Sequence, residues 1–219
     1  MKKEEIFAKV DHTLLKPFAV WEDIRALCKE AIEYQTATVC VPPCYVRRIR
    51  EEFGDALRIC VVVGFPLGYS VTEAKVCEAR AALRDGADEI DMVINITDVK
   101  NGDLDKVFSE IRALKEVCGQ HILKVIVETC YLTEEEKIEM CRIVTQSGAD
   151  FIKTSTGFGT GGATPEDIRL FKAYVGENVR IKAAGGMKTA EDVMTFAELG
   201  ADRLGTSSAI KLLKNAAIQ

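Results

Sequence analysis

The sequence predicts a (β/α)8 barrel: one α/β domain over residues 1–219, with an additional helix at the N-terminus. Three observations support this fold. Strand-like and helix-like segments alternate eight times, the strand-like runs are apolar almost throughout, and the joints between them are short. Continuous apolar runs are typical of strands buried on both faces, as in a parallel sheet covered by helices. Regular alternation is typical of α/β folds, and 219 residues suit one such barrel.

Composition narrows the class of protein further. Hydrophobic residues make up 47% of the chain and charged residues 29%, which suits a sizeable core and argues against disorder. The net charge of -5 argues against a nucleic-acid partner, which requires a basic surface. No apolar run approaches the roughly 20 residues of a membrane span. Residues 1–5 precede no signal core, so a cytoplasmic protein without membrane contact is expected.

The eight cysteines do not indicate a disulfide framework or a metal site. Most of them lie in strand-like or helical patterns, no CxxC pair occurs, and only His12 and His121 could add imidazole ligands. Reduced, mostly buried thiols are therefore expected. Neither a metal nor another cofactor is predicted.

The strand-like and helical segments follow one another in strict order after a charged N-terminal helix. Strands are predicted at 10–15, 36–42, 58–64, 89–95, 122–129, 151–157, 179–186 and 203–206. The intervening helices are predicted at 21–34, 45–53, 70–86, 103–118, 133–148, from 164, 189–200 and from 207. Capping boxes are predicted at Ser70 and Thr133, and Thr164 and Thr189 are also expected to cap helices.

The tripeptide Gly-Ala-Asp begins at Gly86, Gly148 and Gly200, each time between a helix and a strand. Glycine readily adopts the left-handed conformation that ends a helix, so this tripeptide indicates a repeated helix-to-strand joint. A doubly wound open sheet is the alternative fold. Its dinucleotide-binding form requires G-x-G-x-x-G after the first strand, and that motif is absent.

Two lysines lie in strands that are otherwise largely apolar. Lys153 shares a strand face with Phe151 and Ser155, and Lys182 lies in the next strand. A single strand lysine is more often one that extends to solvent. Here small residues and glycine follow each lysine, which indicates two amines in one pocket. Burial and a like charge both disfavour an ammonium group, and a neutral amine is a nucleophile for carbonyl carbons.

The surroundings of the two lysines suggest which one is the nucleophile. Neighbouring parallel strands are about 4.8 Å apart. At an effective dielectric of 20, two charges about 4 Å apart repel by about 4 kcal/mol, which corresponds to roughly three pKa units. Phe151 and Ile152 precede Lys153, whereas Arg180 precedes Lys182. We therefore expect Lys153 to be the nucleophile and Lys182 to be the cation that tunes it.

Asp91 is the carboxylate expected to work with these amines. Its neighbours Ile90 and Met92 should face the helices, which directs Asp91 into the barrel. A lone buried carboxylate is more often a structural ion-pair partner, but one that shares the interior with two lysines is well placed for proton transfer. Lys124 and Glu128 share a strand face and are expected to form a structural pair. Lys124 is also a candidate substrate contact.

The ends of the last two strands suit an anion such as phosphate. Gly185 and Gly186 expose backbone N–H groups, and Ser207 and Ser208 add hydroxyls where a helix begins. Loops at these positions in a (β/α)8 barrel often bind phosphate, although Ser207 could instead be only a helix cap. Cys40 is expected to be a small apolar residue at the rim. The other candidate substrate contacts at strand ends are Thr13, Cys40 and Thr156.

Seven motifs together resemble the deoxyribose-phosphate aldolase family. They are DHTLL at 11–15, VCVPP at 39–43, DMVIN at 91–95, LKVIVET at 123–129, FIKTSTGFG at 151–159, IKAAGG at 181–186 and GTSS at 205–208. They span nearly the whole chain, and their joint occurrence is highly specific. The resemblance implies a class I, metal-independent aldolase of deoxyribose phosphate and nucleoside catabolism. Such an enzyme reversibly cleaves 2-deoxy-D-ribose 5-phosphate to D-glyceraldehyde 3-phosphate and acetaldehyde.

The resemblance also implies roles for individual residues. Lys153 matches the Schiff-base lysine, Lys182 matches the second lysine, which lowers the pKa of the first, and Asp91 matches the carboxylate of the proton relay. The chain departs from some members of the family in lacking a tyrosine at its C-terminal end. A shortened tail, or proton transfer by water, would account for this difference.

Two other kinds of function remain open. A phosphosugar isomerase or synthase could use the same barrel without a Schiff base, and it would tolerate Lys153→Arg better. In a non-catalytic phosphate-binding barrel, two inward lysines would be unfavourable and without purpose. The sequence does not determine the oligomeric state, and a homo-oligomer, either a dimer or a tetramer, is compatible with it.

Overall fold

The computed structural model describes residues 1–214 and shows a closed barrel of eight parallel strands. Each strand pairs with its sequence neighbours, and the first pairs with the last. The strands are β1 Val10–Thr13, β2 Thr38–Val41, β3 Ile59–Val63, β4 Glu89–Val93, β5 Ile122–Ile126, β6 Phe151–Lys153, β7 Arg180–Ala184 and β8 Arg203–Thr206. The predicted (β/α)8 barrel is confirmed, and the open sheet is excluded.

Helices cover the outside of this barrel. Within residues 1–214 they are α1 Lys3–Phe7, α2 Trp21–Glu33, α3 Val46–Phe53, α4 Thr72–Arg84, α5 Ile96–Asn101, α6 Leu104–Cys118, α7 Glu134–Ser147, α8 Pro165–Tyr174, α9 Ala190–Glu198 and α10 Ala209–Lys214. The additional N-terminal helix is therefore present as α1. The short helix α5 was not predicted. It begins after Asn95, whose side chain accepts a 3.2 Å hydrogen bond from the N–H of Thr97.

Alternation along each strand separates an apolar outer layer from a charged interior. Ile90, Met92 and Ile152 belong to the large apolar cluster between strands and helices. Asp91 and Lys124, on the opposite strand face, are fully buried inside the barrel. The predicted orientation of these β4 residues is therefore confirmed.

The joints between helices and strands follow the repeated Gly-Ala-Asp tripeptide. Gly86, Gly148 and Gly200 have φ values of 109°, 78° and 100°. Residues with a β-carbon rarely adopt this region, whereas glycine does so readily. The tripeptide therefore returns the chain from a helix to the sheet within a few residues, as predicted.

Threonines cap three helices as the sequence predicts. Thr133, Thr164 and Thr189 each accept a hydrogen bond from the N–H three residues later, at 3.3, 3.1 and 3.1 Å respectively. The capping box predicted at Ser70 is wrong. Helix α4 starts at Thr72, so Val71 occupies the cap position and Ser70 precedes it.

Several strands are shorter than predicted, and the residues released from them form loops at the carboxyl ends of the strands. Strand β1 ends at Thr13 rather than at residue 15, and β5 ends at Ile126 rather than at residue 129. Of these two loops, the one after β1 supplies part of the wall of the cavity described below. No helix among residues 1–214 is long and apolar enough to cross a membrane.

Candidate active site

A cavity of about 260 Å³ lies at the carboxyl ends of the strands, where (β/α)8 barrels carry their active sites. Lys153 lies at its inner end. Residues after β1, β6, β7 and β8 form the walls. Six predicted substrate contacts line the cavity: Thr13, Thr156, Gly185, Gly186, Ser207 and Ser208. The structure thus brings together residues that are almost 200 positions apart in the sequence.

Lys153 is the last residue of β6 and reaches the cavity from the barrel interior. It is 3% exposed, and its Nζ donates a 2.7 Å hydrogen bond to Oδ2 of Asp91. The other interior lysines, Lys124 and Lys182, are fully buried and do not line the cavity. Lys153 is therefore the interior lysine that a bound substrate could reach.

Asp91 connects the two lysines that the sequence pairs. Its Oδ2 accepts hydrogen bonds of 2.7 Å from Nζ of both Lys153 and Lys182. Burial favours a raised pKa for Asp91, but Lys124, Lys153 and Lys182 outweigh it and hold the pKa well below its ordinary value. Asp91 is therefore an anion at neutral pH, and one of its oxygens serves two amines.

Lys182 is held by two carboxylates, those of Asp11 and Asp91. Burial alone would lower the pKa of Lys182, but these two anions raise it above its ordinary value. Lys182 is therefore a cation beside Lys153. The sequence predicts this cation, but it does not identify Asp11 as one of the groups that stabilise its charge.

Arg203 and Lys124 extend these contacts into a larger buried ion cluster. Arg203 donates to Asp11 through Nη1, and its Nη2 donates to Oε1 of Glu89 at 2.9 Å. Lys124 forms ion pairs with Glu89 and, at 3.0 Å, with Oδ1 of Asp91. The charged residues within the strand segments are visible in the sequence and could have indicated a buried ion cluster. The alternation of side chains along each strand does not show which of these residues form pairs.

The predicted pair between Lys124 and Glu128 is wrong. Because β5 ends at Ile126 and Glu128 has a φ of 55°, strand alternation does not continue to Glu128. Glu128 instead accepts hydrogen bonds from Thr156. Lys124 is enclosed beneath Asp91 and does not line the cavity, so the structure does not place it as a direct substrate contact.

Cys40 does not lie at the rim, contrary to prediction. It is fully buried within the barrel, where it packs with Cys60 and Val62, and it does not line the cavity. A hydrogen bond with Cys60 lowers the pKa of Cys40 and outweighs the opposite effect of burial. Cys40 lies one residue before the end of β2, on the strand face that points into the barrel. All eight cysteines are free.

The predicted phosphate contacts form one side of the cavity. Gly185 and Gly186 have φ values of 70° and 76°, and a β-carbon on Gly186 would lie 2.8 Å from the carbonyl oxygen of Ala163. Glycine is therefore required at that position. Beyond β8, Ser207 is exposed, and the N–H of Ser208 donates to Oγ1 of Thr206 at 3.1 Å. These residues offer backbone N–H groups and hydroxyls, which are neutral donors.

A loop after β6 forms another wall, and Glu128 holds it in place. Glu128 is 1% exposed and accepts from the N–H of Thr156 at 3.2 and 3.3 Å and from its hydroxyl. Oγ1 of Thr156 accepts from the N–H of Phe158 at 3.0 Å. Phe158 lines the cavity and contacts Phe65 edge-on, with ring centroids 5.2 Å apart. The sequence did not predict this function of Glu128.

Two sets of buried side chains have the composition of metal ligands: Cys40, Cys60 and Asp91, and Asp11, Cys60 and Glu89. The carboxylates in both sets already form ion pairs with lysine or arginine. A metal ion would have to displace these cations, so the groups are better described as parts of the ion cluster. The C-terminal end, which lacks the tyrosine found in some members of the resembled family, comprises residues 215–219 and lies outside the described residues.

The fold and the site together define a barrel enzyme with a lysine amine at the inner end of its cavity. The chain matches the model for "DeoC/LacD family aldolase" over residues 6–211, and it belongs to that family. The family resemblance read from the sequence motifs is thus confirmed, and the chain is a lyase of the metal-independent, class I type.

Similar proteins cover nearly the whole chain. Deoxyribose-phosphate aldolase from Clostridium botulinum (strain Alaska E43 / Type E3) is 66% identical over 214 residues, which are 98% of this chain and 97% of that protein. The protein of the same name from Clostridioides difficile (strain 630) is 58% identical, with 97% of each chain covered. Among solved structures, the tetrameric deoxyribose-phosphate aldolase from Aeropyrum pernix has a TM-score of 0.91 and 30% identity, covering 97% of this chain and 91% of that one.

Proposed function

We propose that this protein reversibly cleaves 2-deoxy-D-ribose 5-phosphate to D-glyceraldehyde 3-phosphate and acetaldehyde through a Schiff base on Lys153. The observation that carries this proposal is the hydrogen-bonded amine of Lys153 at the inner end of the cavity. The names of the similar proteins support the choice of substrate. The reaction belongs to deoxyribose phosphate and nucleoside catabolism, and we expect it to take place in the cytoplasm.

The first stage is formation of an iminium ion. The neutral amine of Lys153 attacks C1 of the open-chain aldehyde, the resulting carbinolamine loses water, and a C=N⁺ bond to the lysine remains. Lys182 contributes a fixed positive charge next to this nitrogen, which disfavours a second ammonium on Lys153. Asp91 offers an acceptor for the proton that the amine releases.

The second stage breaks the bond between C2 and C3. Its electron pair moves into the iminium, which becomes an enamine, while the C3 hydroxyl loses its proton and becomes the aldehyde of glyceraldehyde 3-phosphate. We assign that proton to a water held by Asp91 and Lys182. Protonation of the enamine at C2 and hydrolysis of the imine then release acetaldehyde and return the free lysine. The iminium is the electron sink, so the steps require no metal.

The remaining lining residues are proposed to bind the rest of the substrate. Gly185, Gly186, Ser207 and Ser208 would supply neutral donors for the phosphate, and Thr13 and Thr156, which also line the cavity, are proposed to contact the sugar chain. We also propose that residues 1–219 form a single domain, since the described elements surround one barrel. The tetrameric relative supports a homo-oligomer for this chain as well.

Borohydride trapping tests the proposal directly. The protein is incubated with acetaldehyde, reduced, digested, and mapped by peptide mass, and we expect an ethyl group on Lys153. Lys153→Ala should abolish trapping and sugar cleavage. An isomerase or synthase without a Schiff base would give no label, and a label on Lys182 would refute the assignment of the nucleophile.

A further inference from the structure

The described lining of the cavity carries positive charge but no negative charge. Among its described residues, only Lys16 and Lys153 carry a formal charge, and no acidic residue lines it. At the inner end of the cavity, Lys153 donates a hydrogen bond to Asp91. Lys16 is exposed at the mouth of the cavity. The cavity therefore has one amine at each end.

Lys16 lies on the side of the cavity where the phosphate contacts are. It follows β1 by three residues, and β1 pairs with β8 through Asp11 and Gly205 and through His12 and Thr206. The carboxyl ends of neighbouring parallel strands lie at one edge of the sheet, so the segment after β1 adjoins the segment that contains Ser207 and Ser208. Both segments line the same cavity.

The ammonium of Lys16 has no anionic partner in the described part of the chain. Among the described residues it contacts the ring of Phe18, whose centroid lies 5.8 Å from Nζ. An exposed cation–π contact of this kind is weak. The side chain is therefore free to turn towards an anion in the cavity at little cost.

A sugar phosphate would need such a cation. A phosphate monoester carries a charge of roughly −1.5 to −2 near pH 7, whereas Gly185, Gly186, Ser207 and Ser208 are all neutral. The protein as a whole carries a net charge of -5, which opposes the approach of an anion. Hydrogen bonds from a charged donor are about twice as strong as neutral ones.

We propose that Lys16 is the cationic phosphate contact of this site and determines its preference for phosphorylated over unphosphorylated 2-deoxysugars. This inference rests on the proposed function. The two amines divide the work: Lys153 reacts with the aldehyde at C1, and Lys16 binds the phosphate at the other end. Lys16 takes no part in the bond-breaking steps, so its loss affects binding of the phosphate and leaves the chemistry at C1 intact.

Three variants test this inference: Lys16→Met, which keeps the length of the side chain without its charge, Lys16→Arg, which keeps a charge, and the control Lys188→Met. Lys188 is also exposed and follows the lining residue Met187, but it does not line the cavity. For each variant, kcat and KM are measured with 2-deoxyribose 5-phosphate and with 2-deoxyribose. Trapping of acetaldehyde is measured in parallel.

With Lys16→Met we expect kcat/KM for the phosphorylated sugar to fall about 10- to 100-fold, mainly through KM, in keeping with loss of a charged hydrogen bond. The value for the unphosphorylated sugar should stay within about twofold. Lys16→Arg should retain most of the preference, and Lys188→Met should change neither value by more than about twofold. Trapping should be unchanged in all three variants.

Equal losses with both sugars, or an effect of Lys188→Met as large as that of Lys16→Met, would overturn the inference. The first result would indicate a general defect of the site, and the second would indicate long-range attraction. The trapping assay separates this failure from a failure of the proposed function. If the unaltered protein traps no acetaldehyde, the Schiff-base function itself is refuted.

Discussion

At the scale of single residues, two lysines and one aspartate inside the barrel make different contacts, and these contacts suggest a separate role for each. One oxygen of Asp91 accepts hydrogen bonds from both Lys153 and Lys182, each at 2.7 Å. The two amines differ in their other contacts, because Lys182 also pairs with Asp11 and is fully buried, whereas Lys153 lines the cavity. The extra carboxylate holds Lys182 as a cation, whereas Lys153 pairs with Asp91 alone among the described carboxylates and lines the cavity.

Lys182→Met is the residue-scale test of this division. Without the charge of Lys182, Asp91 stabilises an ammonium on Lys153, so imine formation should require a higher pH. We expect trapping of acetaldehyde to fall by at least about tenfold at pH 7 and to recover substantially near pH 9.5. Recovery at high pH also shows that the variant is folded. A trapping profile identical to that of the unaltered protein would contradict the role given to Lys182.

At the scale of structural elements, the loop between β6 and α8 depends on a residue that follows β5. The carboxylate of Glu128 accepts the N–H and the hydroxyl of Thr156, and Thr156 in turn accepts the N–H of Phe158. A β-carbon on Gly159 would lie 2.9 Å from Sγ of Cys130 and 3.1 Å from Cδ of Glu128, so the loop packs closely on this support. The loop wall of the cavity is thus positioned by a neighbouring element.

Glu128→Ala should therefore disturb both stability and sugar binding. It leaves the buried N–H of Thr156 without its acceptor, which costs about 1–3 kcal/mol of the free energy of unfolding. It also loosens the wall formed by Phe158, so KM for the sugar phosphate should rise several-fold. Urea unfolding and steady-state kinetics measure the two effects. The exposed Glu134→Ala is the control, and an equally small change in both variants would argue against a positioning role for Glu128.

At the scale of the whole molecule, the barrel is filled by charge as well as by apolar packing. Strands β1, β4, β5, β6, β7 and β8 each contribute at least one charged residue to the interior cluster. Burial favours a raised pKa for Asp11, but Lys182, Lys124 and Arg203 reverse that effect and lower the pKa below its ordinary value. Removing one member of such a cluster leaves another charge buried without a partner, which typically costs about 3–5 kcal/mol.

This arrangement predicts how stability varies with pH. Because the pKa of Asp11 is lower in the folded protein than its unfolded value of about 3.9, the unfolded chain binds more protons in acid. The stability that Asp11 contributes is therefore complete above about pH 4 and is lost as pH falls through the folded pKa. The same sign applies to Asp91, whose pKa is also lowered.

Asp11→Asn should therefore be less stable than the unaltered protein by about 3–5 kcal/mol at pH 7. This difference should shrink as the pH is lowered from 4 to 3. Urea unfolding at pH 7, 4 and 3 measures it, with the exposed Asp105→Asn as the control. A difference that stays constant over this range would show that the charge of Asp11 contributes no stability.

The sequence by itself determined the order of the elements and the position of the catalytic candidates along them. Apolar runs and Gly-Ala-Asp joints predicted the barrel, because buried parallel strands need apolar faces and a helix that returns at once to the sheet needs a left-handed residue. The inward direction of Asp91 followed from the period of two along β4. The sequence also predicted that Lys153, the Gly185–Gly186 pair and the two serines after β8 would lie at one site, and these residues line the cavity, whereas Lys182 does not.

Only the tertiary structure decided which charges meet. Pairing depends on closure of the barrel and on the register between strands, which local alternation does not contain. The alternation of side chains between the two faces of a strand also stops where the strand ends, and Glu128 lies beyond the end of β5. Lys124 therefore pairs with Glu89 and Asp91 rather than with Glu128. The contact between Arg203 and Asp11 joins residues 192 positions apart, and no local pattern could have predicted it.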